Sequence, residues 1–168
     1  MSDIDAGLFR KVLGHFPTGV TVVTGLTGFT GQTPEPPTGL TIGSFTSVSL
    51  DPPLVGFLPM KTSVSWSQIR PSGVFCVNVL AEAQADLCWR FAKEADDRFV
   101  DVGWQAAPSG SPILDGAIAW IDCTIEETID AGDHWFVLGR VQALDVGADA
   151  DAGPMLFFRG KLGGFTPA

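Results

Sequence analysis

The sequence predicts a mainly β chain, an antiparallel barrel with helices packed outside it, on three observations. Short alternating or β-branched runs recur at close spacing from Val20 to Phe158. Helical periodicity occurs in three places at most. No strand–helix–strand alternation and no internal repeat is present, which sets aside parallel α/β and solenoid architectures. With 168 residues, 45% apolar and 10% aromatic, the chain makes one domain, residues 1–168, with material for a real core.

Ser2 to Phe16 reads as the first helix. Leu8, Phe9, Val12, Leu13 and Phe16 recur at helical spacing, Ser2 and Asp5 suit a capping box, and Pro17 stops the run. His15 falls in the last turn, where a partial positive charge is favourable. Thr18-Gly19 turns into a β-branched strand, Val20 to Thr24. Gly25 to Pro37 is rich in Gly, Thr and Pro and reads as a long loop, without a GxGxxG or Walker pattern. Ser44 to Leu50 alternates, with Phe45, Ser47 and Ser49 on one face and Ser44, Thr46, Val48 and Leu50 on the other. Asp51-Pro52-Pro53 ends it, because proline donates nothing to a ladder. Leu54 to Leu58 is the next strand, and Lys61-Thr62-Ser63 leads into a short helix with a hydroxyl cap.

Gly73 to Leu80 is a strand. Glu82 to Lys93 reads as a helix with Leu87, Cys88 and Phe91 as its apolar stripe. Trp104 to Asp115 reads as a loop. Ala117 to Asp130 and Trp135 to Ala143 form a hairpin around Ala131-Gly132-Asp133, with His134 opening the return strand. A short acidic loop, Ala148 to Gly153, precedes a last strand, Met155 to Phe158.

Hydroxyls at Ser44, Thr46, Ser47 and Ser49, the cation of Lys61 and the start of a helix lie close in sequence. Together they suit a phosphate attached to a flat polar ring. The same residue types also suit a half-exposed strand and a helix cap.

GLTIGSFTSVSLDPPLVGF followed by KTSVSW closely resembles the signature of the short-chain NAD(P)H:flavin oxidoreductases, the reductase component of two-component flavin-dependent monooxygenases. FRKVLGHFPTGVTVVTG, GVFCVNVLAEAQADLCWRFA, DDRF, GDHWFVLGRV and PMLFFRGKLGGF extend the resemblance along the chain in family order. It implies the FMN-binding split barrel, a six-stranded-type antiparallel barrel, and a homodimer with flavin sites near the subunit interface. It implies FMN or FAD and NADH or NADPH as cofactors, and a monooxygenase as partner. By position, Gly43, Ser44, Phe45, Thr46, Ser47, Ser49 and Leu50 would lie along the flavin. Pro59, Met60 and Lys61 would border its ribityl-phosphate tail, and Ser63, Val64 and Ser65 would donate to phosphate. Arg90 and Phe91 would close the flavin site. His134, with Phe158 and Arg159, would meet the pyridine nucleotide, with His134 as the catalytic residue; Lys161 is a further neighbour. A tight-binding flavin sensor or carrier and an oxidase of the pyridoxamine-phosphate type are the alternatives. Two features depart from the family. Gly43 stands where relatives carry an amide or small polar side chain, and the Gly25–Pro37 loop is long.

Hydride transfer between two bound rings needs no strong acid or base, so a site of hydroxyls and amides without a triad is consistent with it. Ten basic against nineteen acidic side chains give a net charge of −9, which argues against nucleic-acid and anionic-membrane partners. Binding anionic nucleotides therefore depends on concentrating Lys61, Arg90, Lys93, Arg98, Arg159 and Lys161. No apolar run approaches the eighteen or so residues of a membrane span, and MSDIDAGLFRKV lacks a signal-peptide core. A cytoplasmic protein is expected. Cys76, Cys88 and Cys123 are widely spaced in apolar surroundings, as for buried reduced thiols, and no zinc pattern is present.

Overall fold

The computed structural model describes residues 4–28, 31, 35–93, 95 and 97–168. Helix α1 spans Ala6–Leu13, and the Asp5 carboxylate caps it by accepting the Leu8 N–H at 2.7 Å. The helix is shorter than the periodicity predicted. Asp5 is itself the cap, and Ser2 lies outside the described residues. Thr18–Gly19, predicted as a turn, is a short strand β1.

Strand β2 (Thr21–Leu26) runs two residues beyond its predicted end and pairs antiparallel with β3 (Pro37–Ile42), from Thr21 opposite Ile42 to Leu26 opposite Pro37. The long loop is thus a hairpin connection. Phe29, Thr30 and residues 32–34 within it lie outside the described residues. Two threonines and a glycine among the six residues of β3 blur its apolar pattern. Next come β4 (Thr46–Leu50), β5 (Pro53–Phe57), α2 (Val64–Ile69) and β6 (Val74–Val79). The predicted helix from Glu82 begins as one 3₁₀ turn and becomes α3 at Ala85–Ala92. The predicted 104–115 loop contains a two-stranded ribbon, β7 (Trp104–Ala106) with β8 (Pro112–Leu114). The long hairpin is β9 (Ala119–Ala131) with β10 (His134–Val146). A closing hairpin, β11 (Leu156–Phe158) with β12 (Lys161–Gly163), pairs with β1.

Seven strands form the main sheet, antiparallel throughout, in the order β3-β2-β6-β9-β10-β5-β4. That is one strand more than the six-stranded type implied by the resemblance. The order puts β3 and β4 on opposite edges, yet only Gly43, Ser44 and Phe45 separate them. Seven strands laid flat would span about 29 Å at roughly 4.8 Å per step, whereas a three-residue link reaches about 15 Å. The sheet therefore curls strongly, bringing its edges toward one another at this link.

Inside the curl, Phe57, Trp66 and Phe75 meet edge to face, with Phe57 5.2 Å from each of the other two. Helix α2, packed on β3 and β2, carries Trp66 and Ile69 into this cluster. A second cluster joins Val20, Val22, Leu80 and Leu114 to Cys88 and Phe91 of α3. Val22 and Val23 point to different clusters and both are buried, so β2 is apolar throughout rather than alternating.

Candidate functional site

The link between the two sheet edges and the strand that follows carry the first group of predicted residues. The Ser44 hydroxyl accepts the Leu58 N–H at 2.9 Å, pinning the link to the exit of β5. Phe45 turns inward onto the core, and Thr46 donates to the Ser47 carbonyl at 3.1 Å. A bulge between Ser47 and Ser49 breaks the strict alternation predicted for this strand. The Ser47 and Ser49 hydroxyls have no protein partner among the described residues. Strand β4 is an edge, so its outer N–H and C=O groups are unpaired in the ladder, and Leu50 at its end is 96% exposed. Gly43 is exposed, and a Cβ there would meet only Thr18 Oγ1, at 3.3 Å. That hydroxyl is buried and has no hydrogen-bond partner.

The turn of the long hairpin brings a second group together. Trp135 N–H donates to the Pro59 carbonyl, Lys61 N–H donates to the Asp133 carbonyl (both 3.0 Å), and Met60 pairs with His134 as an isolated bridge. Lys61 Nζ lies 2.6 Å from the Asp130 carboxylate and 4.8 Å from the centre of the Trp135 ring. Arg70, which sequence reasoning missed, lies 5.1 Å from the same ring. Its only sequence signal is an arginine at the end of a short helix. His134 Nδ1 lies 2.7 Å from Asp133 Oδ1. The hydrogen bond from Lys61 holds the Asp130 carboxyl below the ordinary range, and the one from His134 does the same for Asp133. His134 and Lys61, assigned by resemblance to different ligands, are thus neighbours across one backbone bridge.

Ser63 caps α2 by accepting the Trp66 N–H at 3.2 Å, and Val64 is exposed. Ser65 is fully buried, and Pro59 is buried too. Phe91 is 1% exposed, its ring packed over Gly39 and 5.1 Å from Phe99. The side chains of Pro59, Ser65 and Phe91 are thus packed into the fold and not presented on its surface. Arg90 is exposed and donates to the Val100 carbonyl at 2.7 Å.

Phe158 and Arg159 lie on the β11–β12 hairpin, outside the main sheet. Arg159 and Gly160 both have left-handed backbone, φ +50° and +80°. That is the geometry of a two-residue hairpin turn, in which arginine is disfavoured. Arg159 N–H donates to the Gly14 carbonyl at 3.0 Å. An open groove of 750 Å³ runs beside Pro17, Phe158, Arg159, Lys161 and Leu162. No hydrogen bond or ion pair among the described residues joins this groove to the Lys61–His134 group.

No group of His, Cys, Asp and Glu among the described residues is arranged to hold a metal. The three cysteines are buried and free. Burial pushes the Cys123 thiol up to about 12, and it raises Cys76 and Cys88 as well. No helix among the described residues is long and apolar enough to cross a membrane.

Residues 13–166 match the model of the flavin reductase like domain. A flavin reductase of Pseudomonas putida is 46% identical over 98% of this chain and 93% of its own length. The reductase subunit HsaB of a flavin-dependent monooxygenase from Rhodococcus jostii (strain RHA1) is 46% identical over 98% of this chain and 80% of its own. Among solved structures, the Streptomyces globisporus C-1027 NADH:FAD oxidoreductase SgcE6, in complex with NAD and FAD fragments, superimposes with a TM-score of 0.86. It is 37% identical and the match covers 97% of this chain and 94% of that one. A curled antiparallel sheet, an open edge strand rich in hydroxyls and a match over nearly the whole chain converge: the chain belongs to the flavin reductase like family.

Proposed function

We propose that this protein is an NAD(P)H-dependent flavin reductase, which supplies reduced FMN or FAD to a partner monooxygenase. The observation that carries the assignment of the site is the β4 edge. Ser47 and Ser49 offer hydroxyls without protein partners, beside unpaired backbone groups and the exposed apolar surface of Leu50. These residues fit a flat ring with polar edges. Bound flavin supplies the ring that accepts hydride from the nicotinamide. The chain's own contribution is to hold the two rings at about 3–3.5 Å and to place fixed donors where negative charge gathers.

In this reading Gly43, Ser44, Phe45 and Thr46 form the floor at the sheet link. Lys61 and the Ser63–Val64 turn take the phosphate tail, with Met60 beside them, and Arg90 borders the site. Lys61 must then share its charge between Asp130 and the ligand. His134, oriented through Nδ1 by Asp133, presents Nε2 toward the nucleotide, and Phe158 and Arg159 complete that side. The curled sheet is the split barrel of the family, and two copies form the functional dimer, since α1 buries none of its residues within one chain. Three buried free thiols suit a reducing, cytoplasmic compartment.

The assay is oxidation of NADH by the purified protein with and without added FMN or FAD. Steady turnover that requires free flavin is expected, and a coloured protein inert to NADH would rule the reductase out. Replacing Ser47 and Ser49 together by alanine is expected to weaken flavin binding by about 1–3 kcal/mol, read as a rise in the Kd. An unchanged Kd would take the two hydroxyls out of the site.

A further inference from the structure

The chain has two histidines, and the reading above uses one. The other, His15, lies just past the end of α1, and its Nδ1 is 2.8 Å from the Lys11 carbonyl oxygen. A carbonyl only accepts, so Nδ1 carries the proton, and in the neutral ring Nε2 is left as a bare acceptor. Nε2 has no partner among the described residues. The imidazole stands edge-on to Phe158, with ring centres 6.4 Å apart and planes at 88°. Phe158 lines the open groove with Pro17, Arg159 and Lys161.

A second observation points to the same corner. The Arg159 N–H is tied to the carbonyl of Gly14, the residue before His15, while Arg159 itself holds a left-handed backbone that glycine or asparagine would adopt at less cost. The hairpin turn and the end of α1 are thus locked to each other beside the groove. The helix-terminal role predicted for His15 uses only its charge. It does not account for the contact with Phe158.

We infer that His15 is a contact of the nicotinamide nucleotide, with Nε2 accepting a hydrogen bond from a carboxamide N–H or ribose hydroxyl of a ligand seated against Phe158. The inference rests on the assignment of Phe158 and Arg159 to the nucleotide side.

With only two histidines, imidazole NMR of the ¹⁵N-labelled full chain is directly readable, and a His15→Phe variant assigns the signals. The free protein is expected to show the Nδ1–H tautomer at His15, and NAD⁺ added with flavin present should shift its Nε2 resonance. In turnover, His15→Phe is expected to raise KM for NADH about five- to tenfold, the effect of one lost hydrogen bond. KM for flavin should hold, and His15→Gln should recover part of the loss. A His15 signal unmoved by NAD⁺, in a protein that oxidises NADH and whose His134 signal does shift, would overturn the inference alone. A wild type that neither binds NAD⁺ nor oxidises NADH would remove the nucleotide assignment, and the role of His15 with it.

Discussion

Gly43 lies beside a buried polar group, and the structure supplies a local consequence. The Thr18 hydroxyl beside it is buried without a partner, a state that costs about 1–3 kcal/mol for a polar group. A Cβ at position 43 would meet nothing else within 4 Å, and the backbone of Gly43 is not left-handed. Gly43→Ser is therefore expected to stabilise the protein, because its hydroxyl reaches Thr18 and the unfolded chain loses freedom. For a chain of this size the gain should raise the Tm by about 2–4 °C, measured by calorimetry. A lower Tm would mean that the Thr18 side chain does not yield to the added Cβ. Phe91 makes the complementary point. Gly39 leaves a recess over β3 that the Phe91 ring fills.

Among the elements, α1 is the least satisfied. Leu8, Phe9, Val12, Leu13 and Phe16 are all more than half exposed, and the helix buries nothing. A helix of eight residues with no packed face is marginal by itself in water, and a patch of this kind marks an interaction surface. The proposed occupant is a second copy of the chain. Light scattering is expected to give twice the chain mass of 17.8 kDa, and Phe9→Glu combined with Leu13→Glu is expected to reduce it to one. A wild type at the mass of a single chain would remove the dimer. The β9–β10 hairpin has the opposite character. Its thirteen-residue strands pair along nearly their whole length, and its turn carries Asp130, Asp133 and His134 to the Pro59–Lys61 segment. That turn is a rigid arm holding charged groups at a fixed place.

At the scale of the whole molecule, packing on both faces of the sheet buries the thiols: Cys123 inside the curl, Cys76 beneath the β7–β8 ribbon and Cys88 on α3. Cys123 is raised to about 12 and Cys76 and Cys88 are also raised, in each case first by desolvation. The unfolded chain releases these protons from about pH 8.5 upward, while the folded chain keeps them. Unfolding therefore releases protons, so the thiols' contribution to stability is whole below that pH and falls as pH rises toward the folded values. Denaturant midpoints are expected to drop between pH 8 and 10, and a thiol reagent should react with all three cysteines only after unfolding. Rapid reaction in the native protein would contradict the burial.

Much of this molecule is legible in one dimension. Local spacing is enough for α1, for β4 and β5 on either side of Asp51-Pro52, and for the hairpin around Gly132, because period and turn chemistry act over a few residues. Family likeness to the flavin reductases is equally a property of the string, carried by blocks in order. Three other facts arise only when distant segments meet. β3 was missed because two threonines and a glycine among its residues blur its pattern, and it is a strand because β2 pairs with it. Phe91 is buried because α3 packs on β3. His15 reads from the string only as a helix-terminal residue, since its contact with Phe158 exists only once the C-terminal hairpin comes back across the fold. Pairing, burial and proximity are set by which surfaces meet in space, and that information resides in contacts between segments, not in any one of them.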